Sequence, residues 1–205
     1  NDQVDRLMAG LLALGLRPGD RIGIWAPNCV EWMLVQYATA KAGLVLVNIN
    51  PAYRRDELRY ALNKVECRAL VLAPKFKKNN YVEMLTSLEP DLESEYGDNR
   101  RSSALPHLQF AIVLGSDAPG NFLSFNHLME HTNAGSLENY SHLRKKQSPN
   151  DAINIQFTSG TTGAPKGATL SHKNILNNAY FCGLAMQLSE IDRICVPVPL
   201  YHCFG

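Results

Sequence analysis

Long apolar runs are missing from this chain: none reaches the roughly 18–20 residues that a membrane-spanning helix needs. Charge imbalance is missing too. Lys and Arg number 20 against 19 Asp and Glu, for a net charge of +1, so there is no bulk electrostatic case for a nucleic-acid partner. Cysteines are few and odd in number: Cys29, Cys67, Cys182, Cys195 and Cys203, with no Cys-x-x-Cys spacing. That argues against a disulfide framework and a structural zinc site, and it fits a reducing compartment. There is no internal repeat, no low-complexity tract, and no recognisable signal or transit peptide. The chain does not open on methionine. Val4, Leu7, Met8, Leu11 and Leu12 recur at helical spacing from its start, and it stops at Gly205, immediately after a motif. It is read as an internal piece of a longer protein.

What is present is a core. Apolar residues make up 45% of 205 residues, enough for one large domain or two small ones. The order of elements predicts an α/β fold. A strand is expected at 22–26, after the Pro-Gly-Asp turn. Asn28, with Glu31 three residues on, has capping-box spacing. Val30, Met33, Leu34, Tyr37, Ala38 and Lys41 then recur at helical spacing, and Gly43 closes the helix. Strands at 44–47 and 69–73 flank a helix at 56–64, with Leu58, Ala61, Leu62 and Val65 on one face. Continuously apolar strands alternating with helices indicate a parallel sheet covered on both faces.

Residues 75–104 break the rhythm. Glu89, Asp91, Glu93, Glu95, Asp98, Arg100 and Arg101 predict a partly helical stretch and then a surface loop. The basic runs Lys75, Lys77, Lys78 and Arg144, Lys145, Lys146 read as solvated loop. The sheet resumes at 110–114, a short helix is expected at 122–130, and 133–150 reads as a polar connection. A strand at 152–157 feeds a loop, and 167–170 returns from it. Ser171 can cap a helix carrying Ile175, Leu176, Ala179, Cys182 and Met186 on one face. Residues 194–198 alternate with prolines, which suggests an edge or a strand end.

The loop between the last two strands carries the chemistry. Thr158-Ser-Gly-Thr-Thr-Gly-Ala-Pro-Lys-Gly167 packs three glycines, four hydroxyls and one lysine into ten residues. Glycines let backbone N–H groups approach an anion, hydroxyls donate further bonds, and lysine adds a mobile charge. This is the composition of a polyphosphate cradle. It is not a Walker A loop. Counting on from Gly160, Pro165 stands where that pattern requires glycine, and Gly167 follows Lys166 where it requires a hydroxyl. A P-loop ATPase is therefore disfavoured, and a plain Ser/Thr/Gly turn would seldom combine so many donors with a terminal lysine.

The run Ile155-Gln-Phe-Thr-Ser-Gly-Thr-Thr-Gly-Ala-Pro-Lys166 resembles the AMP-binding signature of the adenylate-forming enzymes. Pro199-Leu-Tyr-His-Cys-Phe-Gly205 resembles the next motif of that family, an aromatic-histidine turn. Residues 15–28 with Glu31, and Asn48-Ile-Asn-Pro-Ala-Tyr53 with Glu57 and Leu58, resemble its opening strand, helix and turn. Residues 151–163, 167–174 and 200–203 resemble the branch of acyl-CoA ligases acting on medium-chain fatty acids.

The resemblance implies the N-terminal part of the large adenylate-forming domain, with parallel sheets flanked by helices. Residues 1–74 would form a first βαβ layer, 75–150 an irregular connection and 151–205 the phosphate-loop region, with the C-terminal remainder absent. It implies ATP binding at Thr158, Ser159, Gly160, Thr161, Thr162, Gly163, Ala164, Pro165 and Lys166. Catalytic roles fall to Lys166 and His202, and acyl-substrate contacts to Tyr201, His202 and Phe204. ATP with Mg2+, a fatty acid and coenzyme A are the implied reactants, and the mitochondrial matrix is the implied location. The adenine- and ribose-binding segments and a catalytic lysine would lie beyond residue 205, so this piece alone is expected not to complete catalysis. Two other readings stand beside it: a ligase for aryl or other acids, and a non-catalytic nucleotide-binding fragment. Cys203 beside His202 reads as a buried small apolar residue rather than a nucleophile.

Overall fold

The computed structural model describes residues 1–90, 104–130, 141–158 and 165–202. Among these residues nine strands run β1 (Arg21–Trp25), β2 (Val45–Asn48), β3 (Ala69–Leu72), β4 (Lys75–Phe76), β5 (Asn79–Asn80), β6 (Phe110–Val113), β7 (Leu123–Ser124), β8 (Ala152–Thr158) and β9 (Lys166–Ser171). The helices are α1 (Asp2–Ala13), α2 (Val30–Ala42), α3 (Arg55–Lys64), α4 (Tyr81–Leu88), α5 (Phe125–Glu130), α6 (Ser141–Lys146) and α7 (His172–Ala185).

Seven strands form one sheet in the order β7-β6-β3-β1-β2-β8-β9, parallel throughout except that β9 runs antiparallel to β8. The small β4-β5 hairpin stands apart. Every residue of β2 and β3 is buried, as are all but the first of β1. Continuous burial is the reason these strands read as unbroken apolar runs. From β1 the chain crosses to β2 on one side, then back over β1 to β3 on the other. Right-handed crossovers in opposite directions place α2 and α3 on opposite faces. On those faces α1 packs against α2 and α5, and α3 against α4. The expected α/β architecture is thus the observed one, and the strands expected at 22–26, 44–47, 69–73, 110–114, 152–157 and 167–170 match within a residue.

Two glycines are dictated by geometry. Gly43 ends α2 in the left-handed conformation at φ 74°, its N–H bonded to the last turn, as the sequence suggested. At Gly10 an added Cβ would lie 2.5 Å from the Leu128 carbonyl oxygen, so the contact between α1 and α5 requires the bare backbone.

Several expectations need correction. Asn28 does not cap α2; the N-cap is Cys29, without a side-chain bond. The face of α2 read from spacing is borne out at Ala38 and in part at Leu34, but not at Val30, Met33 and Tyr37. Trp32, Val35, Ala38, Thr39 and Ala42 are buried, whereas Val30, Met33 and Tyr37 are exposed. Both stripes are apolar at helical spacing, so periodicity cannot choose between them. Buried Thr39 is admitted because its hydroxyl donates to the Val35 carbonyl at 2.8 Å. The helix placed at 122–130 begins as β7, and Ser124 then accepts from His127 N at 3.2 Å to start α5. The polar connection at 133–150 contains α6. Residues 194–198 form no strand; they have no ladder partners among the described residues and are mostly exposed. Ser171 does cap α7, accepting from Asn174 N at 3.2 Å, but no residue of α7 is buried. Most of the acidic stretch, residues 91–103, lies outside the described residues.

Candidate functional site

The carboxyl ends of β1, β2 and β8 lie side by side, with Ile24 beside Asn48 and Asn48 beside Gln156. In open parallel sheets this edge is where ligands bind. Three segments converge on it.

After β2, Asn50 Oδ1 accepts from Ala52 N at 2.9 Å, and the Asn50 carbonyl accepts from Tyr53 N at 3.0 Å. This local turn is what an Asn before proline favours. Tyr81 pins the turn by donating its hydroxyl to the Pro51 carbonyl at 2.5 Å. Its ring stacks on Trp25 with centroids 3.7 Å apart, and burial pushes its phenol above the ordinary range. The turn leads into α3, where the Glu57 carboxylate accepts from the Arg54 N–H at 3.0 Å.

After β8 comes the hydroxyl- and glycine-rich loop. Thr158 and Lys166 face each other in the ladder and form its neck, with a long 3.4 Å contact from Thr158 Oγ1 to the Lys166 carbonyl. On the far side, Tyr60 of α3 donates its hydroxyl to the Pro165 carbonyl at 3.0 Å. Ser159, Gly160, Thr161, Thr162, Gly163 and Ala164 lie outside the described residues. Lys166 itself is exposed and takes no part in the ion pairs found among the described residues. A cation at a loop neck, held in place by neutral groups, suits a polyanion.

The third segment is the aromatic-histidine turn. His202 N donates to the Pro199 carbonyl at 3.1 Å, and the Tyr201 and His202 rings meet edge-on at 6.3 Å. Tyr201 packs partly against the core, and His202 is exposed. Cys203 and Phe204 lie outside the described residues. Tyr53, at the end of the Asn50 turn, is half-buried. Its phenol is raised first by burial, then by Glu57, Tyr201 and Tyr60 around it. Neighbouring Cys29 is pushed up to about 11, chiefly by burial, which leaves it an unreactive thiol near neutral pH.

The structure thus gathers Lys166, Tyr201 and His202 onto one edge of the sheet. Sequence reasoning passed over Tyr60 and the true task of Asn28, whose side chain bonds the backbone at Val198 and Leu200. Each of these contacts spans most of the chain or joins separate motifs, so no local pattern reveals it. Among the described residues no group of three His, Cys, Asp or Glu side chains is placed to hold a metal ion, and no helix is long and apolar enough to cross a membrane.

Comparison with known proteins agrees with this geometry. The medium-chain acyl-CoA ligase ACSF2, mitochondrial, of Danio rerio is 52% identical over 207 residues, covering 98% of this chain and 34% of that protein. Its counterpart from Bos taurus is 48% identical over 212 residues, covering 100% and 34%. A long-chain-fatty-acid-CoA ligase from Archaeoglobus fulgidus superposes with a TM-score of 0.75 at 27% identity, covering 98% of this chain and 35% of that one. The chain spans about a third of the length of the curated relatives it matches. The family model for AMP-binding enzymes matches residues 1–205 from end to end, across the tethered loop and the histidine turn alike, and the chain belongs to that family.

Proposed function

We propose that this chain supplies the phosphate-binding side of an ATP-dependent acyl-CoA ligase that activates a medium-chain fatty acid in the mitochondrial matrix. The observation that carries the reading is the hydroxyl- and glycine-rich loop, tied at Thr158–Lys166 and at Pro165, with Lys166 turned outward at the carboxyl edge of the sheet. The names of the zebrafish and bovine relatives support the acid class and the location.

In the proposed reaction the acid carboxylate attacks the α-phosphate of ATP. The bond between the α- and β-phosphates breaks, giving acyl-adenylate and pyrophosphate. Coenzyme A then attacks the acyl carbon, and acyl-CoA and AMP leave. Charge gathers on the departing pyrophosphate, so donors fixed beforehand are the main catalytic asset. The loop residues Thr158, Ser159, Gly160, Thr161, Thr162, Gly163 and Ala164 hold the β- and γ-phosphates, and Lys166 offsets the growing charge. Mg2+ bound with ATP neutralises phosphate charge. His202 stands at the junction of carboxylate and α-phosphate, with Tyr201 and Phe204 on the acyl side.

The test is acid-dependent exchange of labelled pyrophosphate into ATP by the full-length ligase polypeptide carrying these residues, with acids from acetate to palmitate. Exchange that peaks at medium chains is expected. A peak with benzoate-type acids would transfer the reading to an aryl ligase. Absence of exchange with every acid would leave a non-catalytic nucleotide binder.

A further inference from the structure

The loop of a nucleotide site is commonly held by its own strand and helix, but among the described residues the histidine turn has neither. Residues 194–198 lead into it without ladder partners among the described residues, and Pro199 removes a backbone donor from its centre. What fixes the turn is a side chain 170 residues earlier. Asn28 Nδ2 donates to the Val198 carbonyl at 2.8 Å, and Asn28 Oδ1 accepts from Leu200 N at 2.8 Å. The carboxamide pairs with the backbone on both sides of Pro199 as a neighbouring strand would, supplying one donor and one acceptor where a ladder is impossible.

We propose that Asn28 is a positioning residue, its paired bonds to Val198 and Leu200 setting where the turn presents Tyr201 and His202 to the acid carboxylate. The proposal rests on the ligase reading above. Asn28 follows β1 by three residues, on the edge where the loop opens. Its anchor is rigid, because β1 is central and Trp25 at its end is buried beneath Tyr81. From the anchored Leu200, the bond from His202 N to the Pro199 carbonyl closes the turn. Position is thereby passed from the middle of the sheet to the histidine in two backbone steps. A capping role is excluded by the structure, since α2 starts from Cys29 with no side-chain bond. The amide polarity is also fixed. The donor faces a carbonyl and the acceptor faces an N–H, so a carboxylate at position 28 would set oxygen against oxygen at Val198.

Asn28→Asp and Asn28→Ala, made in the full-length ligase polypeptide, test this. Pyrophosphate exchange with a medium-chain acid should lose about tenfold in kcat, as befits two neutral hydrogen bonds, while KM for ATP moves less than about twofold. Hydrogen–deuterium exchange over residues 200–202 should quicken by about tenfold or more, with β1, β2 and β3 unchanged and the melting temperature unmoved. Unchanged kcat in both variants overturns the proposal. So does a loss shared equally with KM for ATP, or a fall in melting temperature of several degrees, because either would mark Asn28 as a general structural residue. If the unsubstituted enzyme shows no acid-dependent exchange, the ligase reading itself falls and the positioning role falls with it. Altered deuterium uptake at 200–202 would then still record the clamp as a structural fact.

Discussion

The two ends of the central sheet are held together by different chemistry. At the amino end charged groups pair with each other. Arg68 reaches Asp20 at 2.9 Å and Gln109 at 2.6 Å, and Arg21 reaches Glu66 at 2.9 Å and the Val65 carbonyl at 2.6 Å. At the carboxyl end the corresponding work falls to neutral groups: Asn28, Tyr60 and Tyr81, each bonded to backbone. The contrast has an electrostatic reason. Charges satisfied by one another project little field, while an edge latched by neutral donors leaves the charge of Lys166 available to an incoming anion. On the proposed function, one end serves stability and the other a ligand.

The sharpest attempt to break this comparison removes one cation from each end. Lys166→Ala should slow adenylation by about 10²-fold or more, near 3 kcal/mol in the transition state, with urea stability unchanged. Retained pyrophosphate exchange in that variant would mean that the carboxyl edge does not depend on its cation. Arg68→Ala should do the reverse. Losing a partly buried bond to Asp20 and another to Gln109 costs about 2 kcal/mol of stability, seen in urea unfolding, while KM for ATP stays where it was.

A smaller effect separates the ends by pH. Cys67 lies at the amino end, fully buried, its thiol pushed up to about 12 from an ordinary 9.0 by burial. The unfolded chain gives up that proton near pH 9 and the folded chain keeps it. Stability is therefore intact below pH 9 and falls above it, by at most about 1.4 kcal/mol per pH unit from this group. Cys67→Ala should flatten the alkaline limb of a stability–pH curve, and an identical limb in that variant would assign the loss elsewhere. The smallest expected effect is Tyr60→Phe. Deleting one neutral hydrogen bond to the Pro165 carbonyl is worth about 1 kcal/mol, read as a roughly fivefold rise in KM for ATP at constant kcat. A change in acid KM instead would move Tyr60 to the other side of the site.

Much of this was legible in the chain itself. The strands at β1, β2, β3 and β6 announce themselves because burial on both faces leaves little polar alternation to confuse them, whereas β8 is legible as an alternating run, with Asn154 and Gln156 between Ile153, Ile155 and Phe157. The loop is legible because Lys166, its hydroxyls and its glycines are adjacent in sequence. What was not legible was decided by partners far away. Nothing near Val30, Met33 and Tyr37 says that they face outward, because the choice of face is made by α1 packing against the other stripe. Asn28 has the spacing of a cap, and only the return of residue 198 to the end of β1 gives its amide a better task. Tyr60 sits beside the buried stripe of α3, and its hydroxyl finds a partner only when the loop arrives above it. Residues 194–198 alternate as a strand would, but no neighbouring strand is present among the described residues to pair with them.

The antiparallel pairing of β8 with β9 makes loop length and side-chain facing one variable. Thr158 opposite Lys166 leaves seven positions, 159–165, to turn the corner. Inserting or deleting one of them must either bulge the hairpin or slide β9 by a residue, and a slide by one turns every side chain of that strand to the opposite face. Lys166 would then point through the sheet. The loop could be grafted onto another scaffold only together with its two strands and their register, because its address for the anion is written in the frame as well as in the glycines.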